Sequence, residues 1–169
     1  QRFDLALCLE VAEHVPEEAS ERLIQFLTSL APIVAFSAAI PLQGGAGHVN
    51  EQWPLYWAEK FEARGYKTLD CIRPKVWNND KVLWTYAQNL LLFAEQPILD
   101  ASSVLTQALT LTRRNQLSLV HPSKYSLMAE KYWPLVRAQD GSLHRRLRRR
   151  LQAAYSQFGL SVGRKTDDS

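Results

Sequence analysis

From Phe3 to Leu9 the chain is apolar at every position but Asp4. A short, nearly continuous apolar run of this kind predicts a strand buried on both faces of a parallel sheet. The pattern breaks at Glu10-Val11-Ala12-Glu13-His14, passes Pro16 and becomes helical. Acids stand in the first turns (Glu17, Glu18, Glu21), and Leu23, Ile24, Leu27 and Leu30 are spaced to bury one stripe. Pro32 stops that helix. Ile33 to Ile40 carries no charge and predicts a second strand, and strand, helix and strand in succession imply a right-handed crossover and a parallel pair.

Pro41 to Asn50 is a loop by composition, with three Gly and one Pro in ten residues. Glu51 to Arg64 then predicts a helix with Trp53, Tyr56, Trp57 and Phe61 on its apolar side and Gly65 as its C-cap. Tyr66 to Ile72 predicts a strand, Asn78 to Asp80 a turn, and Asn89 to Ala94 another strand. Beyond Pro97 the pattern loosens. Ile98 to Thr112 predicts a helix weakened by its Ser and Thr content, Leu119 to Ser123 a break, and Tyr125 to Val136 a short aromatic-bearing helix. Ser142 to Phe158 sets Leu143, Leu147, Leu151, Ala154 and Phe158 on one face with Arg between them, an amphipathic basic helix.

The carboxyl end of a parallel strand is where open α/β sheets bind ligands, and the Glu10-to-His14 group falls there. With its flanks, FDLALCLEVAEHVP, it resembles the fourth strand and following loop of class I S-adenosylmethionine (SAM)-dependent methyltransferases, which read hydrophobic strand, E-V-x-E-H, hydrophobic residue and often Pro. The resemblance extends more loosely over the first three-fifths of the chain. It implies a partial Rossmann-like α/β sheet lacking its N-terminal strands, in which Tyr66 to Ile72 and Asn89 to Ala94 are the sixth and seventh strands. The seventh would run antiparallel between its neighbours. The Gly-rich turn after the family's first strand and the acid ending its second have no place upstream of Phe3, and Gly44-Gly45-Ala46-Gly47 follows the wrong strand to replace them. The expected organisation is therefore residues 1–97 as the C-terminal half of a methyltransferase domain and 98–169 as a mainly helical, basic extension. Such a chain by itself is expected to hold SAM weakly.

Composition changes this picture little. Hydrophobic residues make up 46% and charged residues 22% of the 169, ordinary for a globular protein, and no apolar run approaches the ~18 residues of a membrane span. Gln1 leads straight into a strand, so no targeting segment is expected. The two cysteines, Cys8 and Cys71, lack C-x-x-C spacing and read as buried reduced thiols, which points to the cytoplasm. The net charge of +3 is small and concentrates in Arg145 to Arg150. That run could grip phosphate, but a solvated helix face is the commoner outcome, and nucleic acid is disfavoured as a partner.

Glu10, Glu13 and His14, three and four residues apart on a helical turn, could share a divalent ion such as Mg²⁺, Mn²⁺ or Zn²⁺, with His48 from the neighbouring loop as a fourth ligand. Their order is similar to the metal-binding motif of the small-RNA 2′-O-methyltransferases and the ubiquinone-pathway O-methyltransferases, where a metal presents a hydroxyl to the methyl group. Two other readings stand beside it: His14, with Glu13, as a metal-free general acid–base pair, and His14 as a purely structural loop residue. The resemblance places Cys8, Leu9 and Glu10 against the cofactor, while His48 on the Gly-rich loop and Trp53 at the start of the helix beside it are the candidates to face a substrate. Trp53, Tyr56 and Trp57 also read as a helix face packed on the sheet, Asn50 and Glu51 as helix-start residues, and His121 as a loop histidine.

The function implied is methyl transfer from SAM to oxygen of a small molecule or glycan, since Glu and His are present without an aspartate-proline-proline-tyrosine amide-methylating motif. The alternative is a non-catalytic methyltransferase-like fragment. It would bind a protein partner through an exposed sheet edge or the basic C-terminal helix.

Overall fold

The computed structural model describes residues 2–135, together with 137 and 141. Its strands are β1 (Ala6–Leu9), β2 (Ile33–Ser37), β3 (Tyr66–Leu69) and β4 (Leu91–Glu95). Its helices are α1 (Ser20–Leu30), α2 (Pro54–Glu62), α3 (Arg73–Val76), α4 (Trp84–Asn89), α5 (Gln96–Asp100) and α6 (Ser103–Leu111). The protein is α/β, with a four-stranded mixed sheet in the order β1-β2-β4-β3. β1 and β2 run parallel from Ala6 opposite Val34 to Leu9 opposite Ser37. β4 lies between β2 and β3, antiparallel to both, the placement expected of the strand near Asn89 to Ala94.

One face of the sheet is fully dressed. Ala6, Cys8, Val34, Phe36 and Phe93 pack with Ile24 and Leu27 of α1 and with Trp57, Ala58 and Phe61 of α2. Phe61 stacks on Phe93 with ring centroids 3.9 Å apart and 12° between planes, an arrangement that adds to the ~1.5–3 kcal/mol expected from burying each side chain. On the opposite face Leu69, Ala94 and Leu99 form a second cluster with Leu105, Ala108 and Leu109 of α6. That cover sits at the β3 and β4 end.

β1 is therefore buried on one face rather than on both. Phe3, Leu5 and Leu7 are 62%, 48% and 64% exposed, because among the described residues no helix packs on their side and no strand pairs with the outer edge of β1. The helix expected from Glu51 begins instead at Pro54. Pro54, whose missing N–H and fixed φ suit only the first turn of a helix, sets that start; the loop before it is tied down by the amides of Val49 and Asn50, which donate to the Glu13 carbonyl at 2.9 and 3.0 Å, and by that of Gln52, which donates to Ala39 O at 3.2 Å. α2 is capped at Ala63 and not at the expected Gly65; Gly65, at φ +82°, a conformation costly for any residue with a Cβ, ends the turn that follows, its amide donating to Glu62 O at 2.9 Å. The helix expected over Ile98 to Thr112 is two, because the Ser102 side chain accepts from the Leu105 amide at 3.3 Å and starts α6 afresh.

The chain divides into one compact unit through Lys124 and another that begins at Tyr125. Residues 98–124 belong with the sheet for a clear reason. Leu99 and α6 cover its second face, and the buried Arg73 guanidinium pairs with Asp70 at 2.6 Å while donating to the carbonyls of Gln88 and Leu117 at 2.9 and 2.7 Å. In the second unit residues 125–135 are helical, with Tyr125 and Trp133 exposed. The basic helix expected over Ser142 to Phe158, with its Arg run, lies outside the described residues. No helix among the described residues is long and apolar enough to cross a membrane.

Candidate functional site

β1 ends in a sharp reversal at Glu10, whose φ of +51° places a side-chain-bearing residue in the left-handed region, at a cost of about 1–2 kcal/mol. Its hydrogen bonds hold it there. The Glu10 amide donates to Ser37 O and Oγ at 2.9 and 3.1 Å, tying the end of β1 to the end of β2. Its carboxylate accepts from Gln43 Nε2 at 2.9 Å and Asn89 Nδ2 at 3.3 Å. Gln43 is the hub of this polar cluster, since its Oε1 also accepts from Asn89 Nδ2 at 3.0 Å, and Lys124 Nζ donates to the carbonyls of Leu42 and Gln43 at 2.7 Å each.

The reversal turns the chain into a single 3₁₀ turn, Ala12–His14, above the strand ends. Glu13 faces inward and is fully buried, while His14 is exposed. The Glu13 carbonyl, by accepting from Val49 and Asn50, draws the loop after β2 across the turn and brings His48 with it. One ligand atom each from Glu13, His14 and His48 lies within 4.8 Å of the others. His48 Nε2 stands 4.0 Å from Glu13 Oε1, and the two imidazoles meet edge to face with centroids 4.9 Å apart. Glu10, expected in the same cluster, is not part of it, because the amides of Gln43 and Asn89 hold its carboxylate elsewhere.

Each ring is oriented by a partner on its other nitrogen. His14 Nδ1 lies 3.2 Å from Gly47 O, and His48 Nδ1 lies 2.8 Å from Glu51 Oε1, an oxygen that also accepts from the Gly44 amide at 2.7 Å. A carbonyl can only accept, so His14 Nδ1 donates and, in the neutral ring, Nε2 keeps its lone pair. Gly45 lies against the His48 ring so closely that a Cβ there would collide with Nε2, Cε1 and Cδ2.

The electrostatics set the two carboxylates of this site apart. Neither oxygen of Glu13 has a hydrogen-bond partner among the described residues. Burial pushes its carboxyl above the usual range; the amides of Glu13 and Ala39 and the ring of His48 pull the other way without prevailing, and the charge of Glu10 adds to the rise. At Glu51 burial also pushes upward, but the bonds from His48 and Gly44 outweigh it and the carboxyl lies below its usual range. Beneath them, burial and then the Glu13 charge push the Cys8 thiol up to about 11, so it stays protonated and inert.

The arrangement suits a divalent cation. A buried carboxylate with no hydrogen-bond partner among the described residues and two imidazoles whose Nδ1–H groups are engaged by outer acceptors are a donor set that could hold such an ion. A two-nitrogen, one-carboxylate donor set favours Zn²⁺ or Mn²⁺ over Mg²⁺. Ligands ~2.0–2.2 Å from one ion stand at most about 4.3 Å apart, so the three groups would draw slightly closer on loading.

Of the other expected site residues, Leu9 is half-buried at the strand end, Cys8 is in the core and Trp53 is 40% exposed as the N-cap of α2. Sequence reasoning missed Glu51, read as a helix start, and the pair Gln43 and Asn89. Only Glu51 left a trace, as the acid three residues after His48. Comparison with family models, with curated proteins and with solved structures finds no match to this chain.

Proposed function

We propose that this chain carries the acceptor side of a Rossmann-like SAM-dependent O-methyltransferase domain, acting on a hydroxyl of a small molecule or glycan. The single observation that supports it is the meeting of the unpartnered Glu13 carboxylate with His14 and His48 at the carboxyl ends of the parallel pair β1 and β2, joined to the E-V-x-E-H sequence that resembles the family. Methyl transfer needs alignment and an acceptor oxygen relieved of its proton. The Nε2 lone pairs of His14 and His48 are the groups free to receive that proton. Glu13, buried and unpaired, attracts the positive charge that then develops on either ring.

A divalent ion held by Glu13, His14 and His48 would, when bound, take up those Nε2 lone pairs and act in place of the free bases, lowering the pKa of an acceptor hydroxyl so that its proton passes to solvent. SAM, when bound, supplies the methyl group; the main chain of Cys8 and Leu9 and the fixed Glu10 would border it, with Trp53 at the acceptor side. The test is a millimolar titration of SAM followed by amide chemical shifts of the ¹⁵N-labelled chain. Shifts centred on Leu9, Glu10 and Val11 are expected. Shifts confined to β3 and α6, or none, would sink the proposal.

A second reading, a non-catalytic methyltransferase-like module, is favoured by one observation, the exposed Phe3, Leu5 and Leu7 beside an edge of β1 that no strand pairs with among the described residues. Edges of this kind attract another strand. Capture of a partner that protects the β1 amides from exchange, with no SAM-dependent shifts, is the result this reading expects.

A further inference from the structure

We infer that Glu51 is a positioning residue that holds His48 as its Nδ1–H tautomer, so that the Nε2 lone pair is the one turned toward Glu13 and His14. One oxygen does this. Glu51 Oε1 accepts from the Gly44 amide at 2.7 Å and lies 2.8 Å from His48 Nδ1. A main-chain amide can only donate, so this oxygen is committed as an acceptor, and the only role left to Nδ1 is to donate. A neutral imidazole with hydrogen on Nδ1 has its lone pair on Nε2, the atom 4.0 Å from the Glu13 carboxylate.

The ring has little freedom to escape this assignment. A half-turn about its Cβ–Cγ bond would put Cδ2, which cannot donate, against Glu51. On its other side Gly45 leaves room for the ring in its present plane and for nothing larger. The same residues link the two ends of the loop, since Gly44 stands near its start and Glu51 just before α2. His48 and Glu51 are three residues apart but lie on this loop, outside any helix. Their contact is therefore made by the loop fold and not by helical periodicity.

Placing the consequence of this tautomer at Nε2 rests on reading Glu13, His14 and His48 as the working set, but the tautomer itself can be read without activity. Long-range ¹H–¹⁵N correlation of the ¹⁵N-labelled chain at about pH 8, above the ~6.5 of an ordinary imidazole, distinguishes a protonated Nδ1 from a protonated Nε2. His48 of the unaltered protein should show hydrogen on Nδ1 only. Glu51→Gln should keep that pattern, because both bonds go to one oxygen and the amide oxygen of Gln can take both. Glu51→Ala should release His48 to the mixed pattern of an unrestrained imidazole. It should also weaken Zn²⁺ binding by about 10–100-fold, as loss of an outer partner of a ligating histidine does.

Hydrogen on Nε2 of His48 in the unaltered protein, or an unchanged Nδ1–H pattern in a folded Glu51→Ala, would overturn the inference. The spectrum of the unaltered protein decides it even if Glu51→Ala fails to fold. Failure of Zn²⁺ to bind the unaltered protein would count against the ion and leave the tautomer standing.

Discussion

Glu13 is a carboxyl enclosed by the β1 turn and the loop after β2, with neither oxygen in a hydrogen bond among the described residues. Burial raises its pKa in the folded protein, and the sign of the consequence follows. A group whose folded pKa is raised lends stability that is complete below its unfolded value, about 4.3 for Glu, and loses it as pH rises through the folded value. The melting temperature of the ion-free protein should therefore fall across that window, and Glu13→Gln, with nothing to titrate, should flatten the fall. Identical pH slopes in the two proteins, measured by thermal denaturation, would contradict this. Zn²⁺ should oppose the fall, because an ion stabilises the ionised carboxylate. Glu13 and His14 were legible as candidates because their residue types and spacing are local, and His48 because it stands on the loop after the neighbouring parallel strand, whose end faces the same crevice. The departure of Glu10 was not, since its partners Gln43 and Asn89 lie 33 and 79 positions away.

At the scale of elements, α2 and β4 are joined by aromatic contact, and α3 is fastened by one buried guanidinium. Phe61→Ala removes the ring stacked on Phe93 at 3.9 Å and should cost about 3–5 kcal/mol by urea denaturation. Arg73→Ala should cost a similar ~3–5 kcal/mol, because it leaves Asp70 and the carbonyls of Gln88 and Leu117 without their donor. A loss under ~1 kcal/mol in either case would mean that the surrounding elements do not depend on these contacts. The strands were readable from apolar runs and, for β3, from alternation, while the place of β4 between β2 and β3 was implied by the family resemblance and not by the pattern of residues. Two helix limits were not: α2 starts late because Pro54 fits only its first turn, and the segment after β4 breaks where Ser102 caps α6.

Across the described residues of the sheet unit the helical cover is unequal. Helices α1 and α2 dress one face, while α5 and α6 reach the other only at the β3 and β4 end, leaving Phe3, Leu5 and Leu7 to solvent. An apolar run predicts burial without saying what does the burying, which is why the two-sided burial of β1 could not be settled from residues alone. Leu7→Lys, a charge on an exposed face of an edge strand, should leave stability within about 0.5 kcal/mol and suppress self-association at high concentration in sedimentation. A large loss of stability would show that Leu7 is covered.

The joint action of Glu13, His14 and His48 is tested most directly by calorimetric titration of Zn²⁺ into the ion-free chain and into His14→Ala and His48→Ala, with Glu10→Gln alongside. One ion per chain is predicted, with binding abolished by either histidine substitution and retained in Glu10→Gln, whose carboxylate is engaged by Gln43 and Asn89. No binding, or binding indifferent to both histidines, would contradict a shared ion site.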